Sequence, residues 1–110
     1  MGIRNRQRML MTEDKEKDLL KKIASCLEKG DLDACIGDAI ALAKKMEISP
    51  QRLLKLSEIQ NKAKQYKHEY ILALAAVEGL DEKALAYKNA GSASFFLNNS
   101  EMAEKLIKKP

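Results

Sequence analysis

Apolar side chains recur at helical spacing along almost the whole chain. After the polar run "TEDKEKD" they fall at Leu19, Leu20, Ile23, Cys26 and Leu27, three and four residues apart, which is one face of an α-helix. A second stripe, Leu32, Cys35, Ile36, Ala39, Ile40, Leu42, Ala43 and Met46, begins just past Gly30. A third, Leu53, Leu56, Ile59, Ala63, Tyr66, Tyr70, Leu74 and Val77, persists through residues 50–78, a stretch free of glycine and proline. Its centre, "QNKAKQYKHE" at 60–69, is strongly polar, so the segment is either one long helix or two with a joint near Ala63 to Gln65; the lack of a breaker favours one continuous or kinked helix, with any break confined to 60–66. A fourth helix is predicted over 82–97 with Leu85, Ala86, Ala90, Ala93, Phe96 and Leu97 inward. A short last helix follows over 101–108.

The punctuation between these stripes is chemical. Thr12 offers a side-chain oxygen to the first helix, and Glu13, Asp14 and Glu16 place negative charge in its first turn, where the helix dipole favours it. Gly30 is expected to end that helix in the left-handed conformation, and Asp31 to cap the next. Ser49 followed by Pro50 is a cap with proline at the first helical position, where its missing donor costs nothing. Gly79 and Asp81 repeat the stop-and-start signal, and Asn98-Asn99 followed by Ser100 opens the last helix. The expectation is an all-α domain of antiparallel hairpins, about five helices over residues 12–110, behind a flexible basic arm at 1–11. Gly91, Ser92 and Ser94 lower the intrinsic propensity of the fourth helix and make sense where a neighbouring helix crosses closely.

The turn "GDLDACI" is one copy of a recurring mark. Gly30 and Asn98 each stand between two helices and lie 68 residues apart, twice the 34-residue period of the tetratricopeptide repeat. Halfway between them is Lys64, in the polar centre of the third segment. "KGDLDACIGDAIALAKK" from Lys29, "AKQYKHEYILALAAVEG" from Ala63 and "LNNSEMAEKLIKK" from Leu97 then align, each a polar turn followed by an amphipathic helix. Gly30, Asp31, Leu32, Asp33 and Ala34 follow the family's turn pattern, and "AGSASFFLNNSEMAEKL" at 90–106 is similar to the same hairpin. The chain thus resembles the tetratricopeptide-repeat family over residues 13–109. It departs from it where Glu69 replaces a small residue of the middle unit. The resemblance implies a helical array whose first helices line a concave groove. Its groove-facing candidates are Lys17, Leu20, Ala24 and Leu27, then Leu54, Glu58 and Asn61, then Lys88, Ser92 and Phe95. The lysine and asparagine set with which family members clamp a C-terminal carboxylate is not reproduced.

Composition narrows the function classes. Hydrophobic residues at 45% and charged residues at 33% allow both a core and a solvated surface in 110 residues. The net charge of +4 is uneven. Arg4, Arg6 and Arg8 carry the first ten residues, 11–50 hold seven basic and nine acidic side chains, and 51–110 hold ten basic and seven acidic. Arg52, Lys55, Lys62, Lys64 and Lys67 form the densest basic stretch, which could meet phosphates or an acidic peptide and otherwise reads as a solvated face. The longest apolar run, "YILALAAV" at 70–77, is too short to span a bilayer. With no secretory signal in the first residues, a cytoplasmic location is expected.

Catalytic chemistry finds little purchase. His68 is the single histidine, and adjacent helical residues point about 100° apart, so it forms no dyad with Glu69 and reads as a surface side chain. Cys26 and Cys35 supply at most two soft ligands, so no metal site is expected, and they read as small buried hydrophobes. Asp38, between Gly37 and Ala39, reads as solvated. No phosphate loop, nucleophile elbow or zinc-protease motif is present, so neither an enzyme nor a cofactor is expected. The expectation is a non-catalytic protein–protein interaction module, an adaptor or assembly factor binding a protein or peptide in a helical groove. The rival expectation is a nucleic-acid-binding accessory protein using the basic arm and the 52–67 lysines, separable by the salt dependence of binding. Phe95, Phe96 and Leu97 are consecutive and fan over about 200° of a helix. At least one ring should therefore be exposed or covered by another chain, homo-oligomers included.

Overall fold

The structure is a computed structural model that describes residues 2–97, with side chains from residue 14 onward. Five helices follow in order: α1 (Gly2–Lys29), α2 (Leu32–Lys45), α3 (Pro50–Lys62), α4 (Tyr66–Val77) and α5 (Ala84–Phe96). The fold is all-α, a small helical bundle. Among the described residues no helix is long and apolar enough to cross a membrane. The last helix expected at 101–108, with its turn and cap, lies outside the described residues.

Local chemistry sets two of the starts as expected. Asp31 accepts from the Ala34 backbone N–H at 2.8 Å, and Ser49 accepts from that of Arg52 at 3.2 Å with Pro50 behind it. The other boundaries differ from the reading above. α1 begins at Gly2, so Thr12 and its acids lie inside the helix: residues 3–29 contain no glycine or proline, and nothing in them forces a start. α5 begins at Ala84 behind Lys83, with no side-chain cap, so Asp81 does not cap it.

The third segment is two helices. The expected continuous helix is interrupted at Ala63, Lys64 and Gln65, inside the 60–66 window. Lys64 takes a left-handed φ of 60°, its N–H donates to Asn61 O at 3.0 Å, and that of Gln65 donates to Gln60 O at 2.9 Å. This is a Schellman motif, which needs no glycine if the carbonyls it satisfies outweigh the strain. α2 ends in the same way. Glu47 has φ 59°, its N–H donates to Lys44 O at 3.2 Å, and that of Ile48 donates to Ala43 O at 2.9 Å. Neither Gly30 nor Gly79 is left-handed, contrary to the expectation for Gly30. Gly79 is needed for a different reason: a Cβ there would collide with the ring of Pro50, so the end of α4 lies directly on the start of α3.

The three-residue loop lays α4 back along α3, and the core forms around α4. Ile71, Leu72, Ala75 and Ala76 of α4 join Leu19 and Ile23 of α1, Cys35, Ala39 and Ala43 of α2, and Leu53 and Leu56 of α3 in one cluster. Tyr70 and Ala73 of α4 meet Ala90 and Ala93 of α5 in a second. α5 buries its small face, Ala86, Ala90, Gly91, Ala93 and Ser94, as expected of a close crossing. Leu85 and Phe96, expected inward, are exposed, because the close approach of α5 to α4 leaves no room between them for large side chains; Ile59 of α3 is exposed as well. α1 is tied to α3 by an ion pair between a buried carboxylate and an exposed guanidinium. Glu16, 5% exposed, accepts from Arg52 through both oxygens, Nε to Oε2 and Nη2 to Oε1, the latter at 3.0 Å.

Two predictions follow from these junctions. Lys64→Gly and Glu47→Gly should each raise stability by about 0.5–1 kcal/mol, the relief of left-handed strain less the added entropy of glycine in the unfolded chain. Urea unfolding should show a higher midpoint at an unchanged slope. Gly79→Ala should lower stability by about 1–3 kcal/mol through overpacking on a ring that cannot rotate away. Combined with Pro50→Ala it should cost less than the two changes summed.

Candidate functional site

Three helices enclose a polar cleft of about 300 Å³. α3 supplies Glu58, Asn61 and Lys62, α5 supplies Lys88, Asn89 and Ser92, and Glu69 of α4 lies between them. The α3–α4 turn makes this arrangement. It folds the polar end of α3 onto the polar start of α4, so that Asn61 Nδ2 donates to Glu69 Oε1 at 3.1 Å. One residue earlier on each helix, Gln60 Oε1 lies 3.4 Å from His68 Nδ1. On the other wall Asn89 Nδ2 donates to Ser57 Oγ at 3.2 Å, and Ser57, fully buried, donates to Leu54 O at 2.6 Å. Side-chain amides therefore cross-link the cleft walls in addition to the apolar packing beneath them.

Glu69 is the unusual member. It is 2% exposed, and burial pushes its carboxyl above the ordinary glutamate value of 4.5, against the opposing pull of the Asn61 hydrogen bond. Its place in the first turn of α4 offsets part of that cost, since the helix dipole favours negative charge there. The other charged lining groups are Glu58 and Lys62 from α3 and Lys88 from α5. α1 and α2 contribute none. His68 is half-buried rather than on the surface, and burial lowers its value below 6.5.

Of the groove candidates, Glu58, Asn61, Lys88 and Ser92 converge on this cleft. Lys17 is exposed, while Leu20, Leu27 and Leu54 pack against the core. Ala24 is half-buried on α1, away from the cleft. Phe95 is 61% exposed and Phe96 52%. Phe96 stacks on Tyr66 at 4.6 Å between ring centres, with Phe95 edge-on to it at 5.8 Å. Leu97 is half-buried beside Tyr70 and the buried hydroxyl of Ser94, which has no hydrogen-bond partner among the described residues. The basic stretch is dispersed. Arg52 is engaged by Glu16, Lys55 is 4.0 Å from Glu58, Lys62 is at the cleft, Lys64 is in the turn, and Lys67 lies beside Leu97.

The residues missed from the sequence are Glu69 and Asn89. The signal for Glu69 was present: it stands where the repeat pattern has a small residue. Asn89 carried none, being one more polar residue on a mixed face. Cys26 and Cys35 are free. Cys35 is buried, and Cys26 is half-buried with its thiol donating to Asp38 Oδ2 at 3.3 Å, so Asp38 is not merely solvated. The hydrogen-bonded Cys35 sulfur, burial and Asp38 together push the Cys26 thiol up to about 12, which keeps it protonated and a poor nucleophile. Among the described residues no group of three His, Cys, Asp or Glu side chains is placed to hold a metal ion. Comparisons with protein-family models, curated proteins and solved structures find no match to this chain.

Because Glu69 holds its proton more tightly folded than unfolded, its contribution to stability is present below about 4.5, the ordinary glutamate value, and is lost as pH rises through the raised folded value. Glu69→Gln keeps an acceptor for Asn61 without the charge. Its melting temperature should exceed that of the parent at pH 7, and the difference should shrink toward pH 4. A difference independent of pH would show that the carboxylate charge does not set it.

Proposed function

We propose that the chain is a non-catalytic protein–protein interaction module, an adaptor or assembly factor that holds a segment of a partner in the cleft between α3 and α5. The observation that carries this reading is the convergence of Glu58, Asn61, Lys88 and Ser92 from two different helices around one concave polar surface. A tetratricopeptide-like arrangement accounts for it. α3 and α5, which would be the first helices of the second and third pairs, line the cleft together with Glu69 of α4, and the turns at Gly30 and Lys64 lie 34 residues apart, the period of that repeat. The lining suits recognition better than turnover. It consists of amides, a hydroxyl and charges of both signs, and the amides are already committed to holding its walls. Phe95 and Phe96 offer a second, apolar surface at the end of α5, suited to a second copy of the chain or to the same partner.

Capture from a lysate of the source organism, followed by mass spectrometry, tests the reading. Ser92→Trp fills the cleft from its half-buried rim and should abolish recovery of proteins held by the parent, with circular dichroism and melting temperature unchanged. Lys22→Glu, on the exposed face of α1, should leave recovery intact. Equal recovery with Ser92→Trp would remove the cleft from the function. Phe95→Ser and Phe96→Ser, examined by light scattering, should lower the mass if the rings join two copies. An unchanged mass, unchanged recovery and a loss of folding would make them ordinary core.

A further inference from the structure

Two glutamates are buried among the described residues, and the molecule treats them differently. Glu16 on α1 is 5% exposed and takes both nitrogens of a bidentate contact from Arg52. Glu69 on α4 is more deeply buried, at 2%, yet among the described residues its one side-chain hydrogen-bond donor is the neutral amide of Asn61, on Oε1. Among the described residues no lysine, arginine or histidine pairs with it within 4.0 Å. A desolvated carboxylate with a single neutral donor is an expensive arrangement, and planar guanidinium is the group that best relieves it, through two parallel charge-assisted hydrogen bonds. Glu69 lines the cleft, so the side on which a cation is wanting is the side open to a ligand.

We propose that the cleft receives an arginine side chain of a partner protein, its guanidinium seated against Glu69 with Glu58 alongside, in a peptide segment that carries acidic residues next to that arginine. The flanking acids follow from the rest of the lining. Lys62 and Lys88 are exposed at the rim, on opposite walls, and they balance the two carboxylates, so a lone cation gains no general attraction while an alternating segment meets complementary charge throughout. The cleft, about 300 Å³, matches the lower end of small-ligand pockets and suits one long side chain rather than a folded surface element. The pairing of Glu16 with Arg52 shows the same contact already made within this fold.

This inference rests on the reading of the cleft as a partner-binding surface, and the test separates the two. The probe is the tripeptide acetyl-Asp-Arg-Glu-amide, titrated into the nitrogen-15-labelled full chain. Two controls replace its arginine by the neutral isostere citrulline and by glutamate. The parent should show saturable shifts at the Asn61 and Asn89 side-chain amides and at the Ser92 backbone. Citrulline in the peptide, or Glu69→Gln in the protein, should each weaken binding by about tenfold or more, the loss of one charge-assisted pair. Equal affinity for the arginine and citrulline peptides, equal affinity of Glu69→Gln, or preference for the glutamate peptide would overturn the inference. If Ser92→Trp abolishes partner recovery while the arginine peptide fails to bind, the inference fails and the adaptor reading stands. If Ser92→Trp leaves recovery unchanged, the adaptor reading itself fails.

Discussion

The fold depends on one helix that cannot face water on any side. α4 is "YKHEYILALAAV", and from Glu69 to Ala76 only Leu74 is not buried. A helix apolar around its circumference is stable only when every face is covered. α3, α5, α2 and α1 supply that cover, with α3 and α5 pressed most closely against it. The size of its residues decides how closely. Ala73, Ala75 and Ala76 let neighbouring backbones approach, and α5 answers with Ala86, Ala90, Gly91 and Ala93. Close packing of this kind gains dispersion contacts from many small groups rather than from a few large ones.

The same constraint creates the cleft. α4 becomes apolar only after its first turn, so its polar residues His68 and Glu69 are drawn partly into the interior with the rest of the helix. They are tolerated because α3 ends with Gln60 and Asn61, whose amides reach them across the turn. α5 meets the same end of α3 through Asn89 and Ser57. The polar cluster is thus the place where the α3–α4 hairpin and α5 stop packing apolar groups and begin to share hydrogen bonds. Its asymmetry is electrostatic: among the described residues Glu69 takes its side-chain hydrogen bond from the neutral amide of Asn61, whereas Glu16 is met by the guanidinium of Arg52.

Much of this was legible in the chain, for reasons that differ by residue. The starts at Asp31 and Ser49 are local chemistry, decided by a side-chain oxygen and the backbone three residues on, and local chemistry can be read directly. The ends at Glu47 and Lys64 could not be read that way, because their left-handed backbone is imposed by the Schellman hydrogen bonds and the packing of Ile48, not by glycine. Absence of a breaker therefore favoured continuity at 63–65, where the polar stretch is the exposed turn of a hairpin. The repeat spacing pointed to Lys64 correctly, since it reflects how two helices pair rather than what either prefers alone. That Glu58, Asn61, Lys88 and Ser92 lie along one concave surface follows from the same spacing. Asn89 was not, because only the crossing of α5 over Ser57 gives it a role.

The bulky residues of α5 complete the argument. A helix that must present alanine, glycine and serine to α4 has to carry its large side chains elsewhere, and Leu85, Phe95 and Phe96 consequently lie on the outside. Periodicity assigns Leu85 and Phe96 inward, because it weighs hydrophobicity and ignores how near the neighbouring backbone must come. Tyr66 shields one face of Phe96 by stacking, and Phe95 meets the ring edge-on, which lowers the apolar area without removing it. Tyr66 opens α4 one turn ahead of Tyr70, which packs against the small face of α5. Cleft and aromatic surface therefore both derive from the tight seating of α5 on α4. One is the polar gap that seating leaves toward α3, and the other is the apolar bulk it turns away.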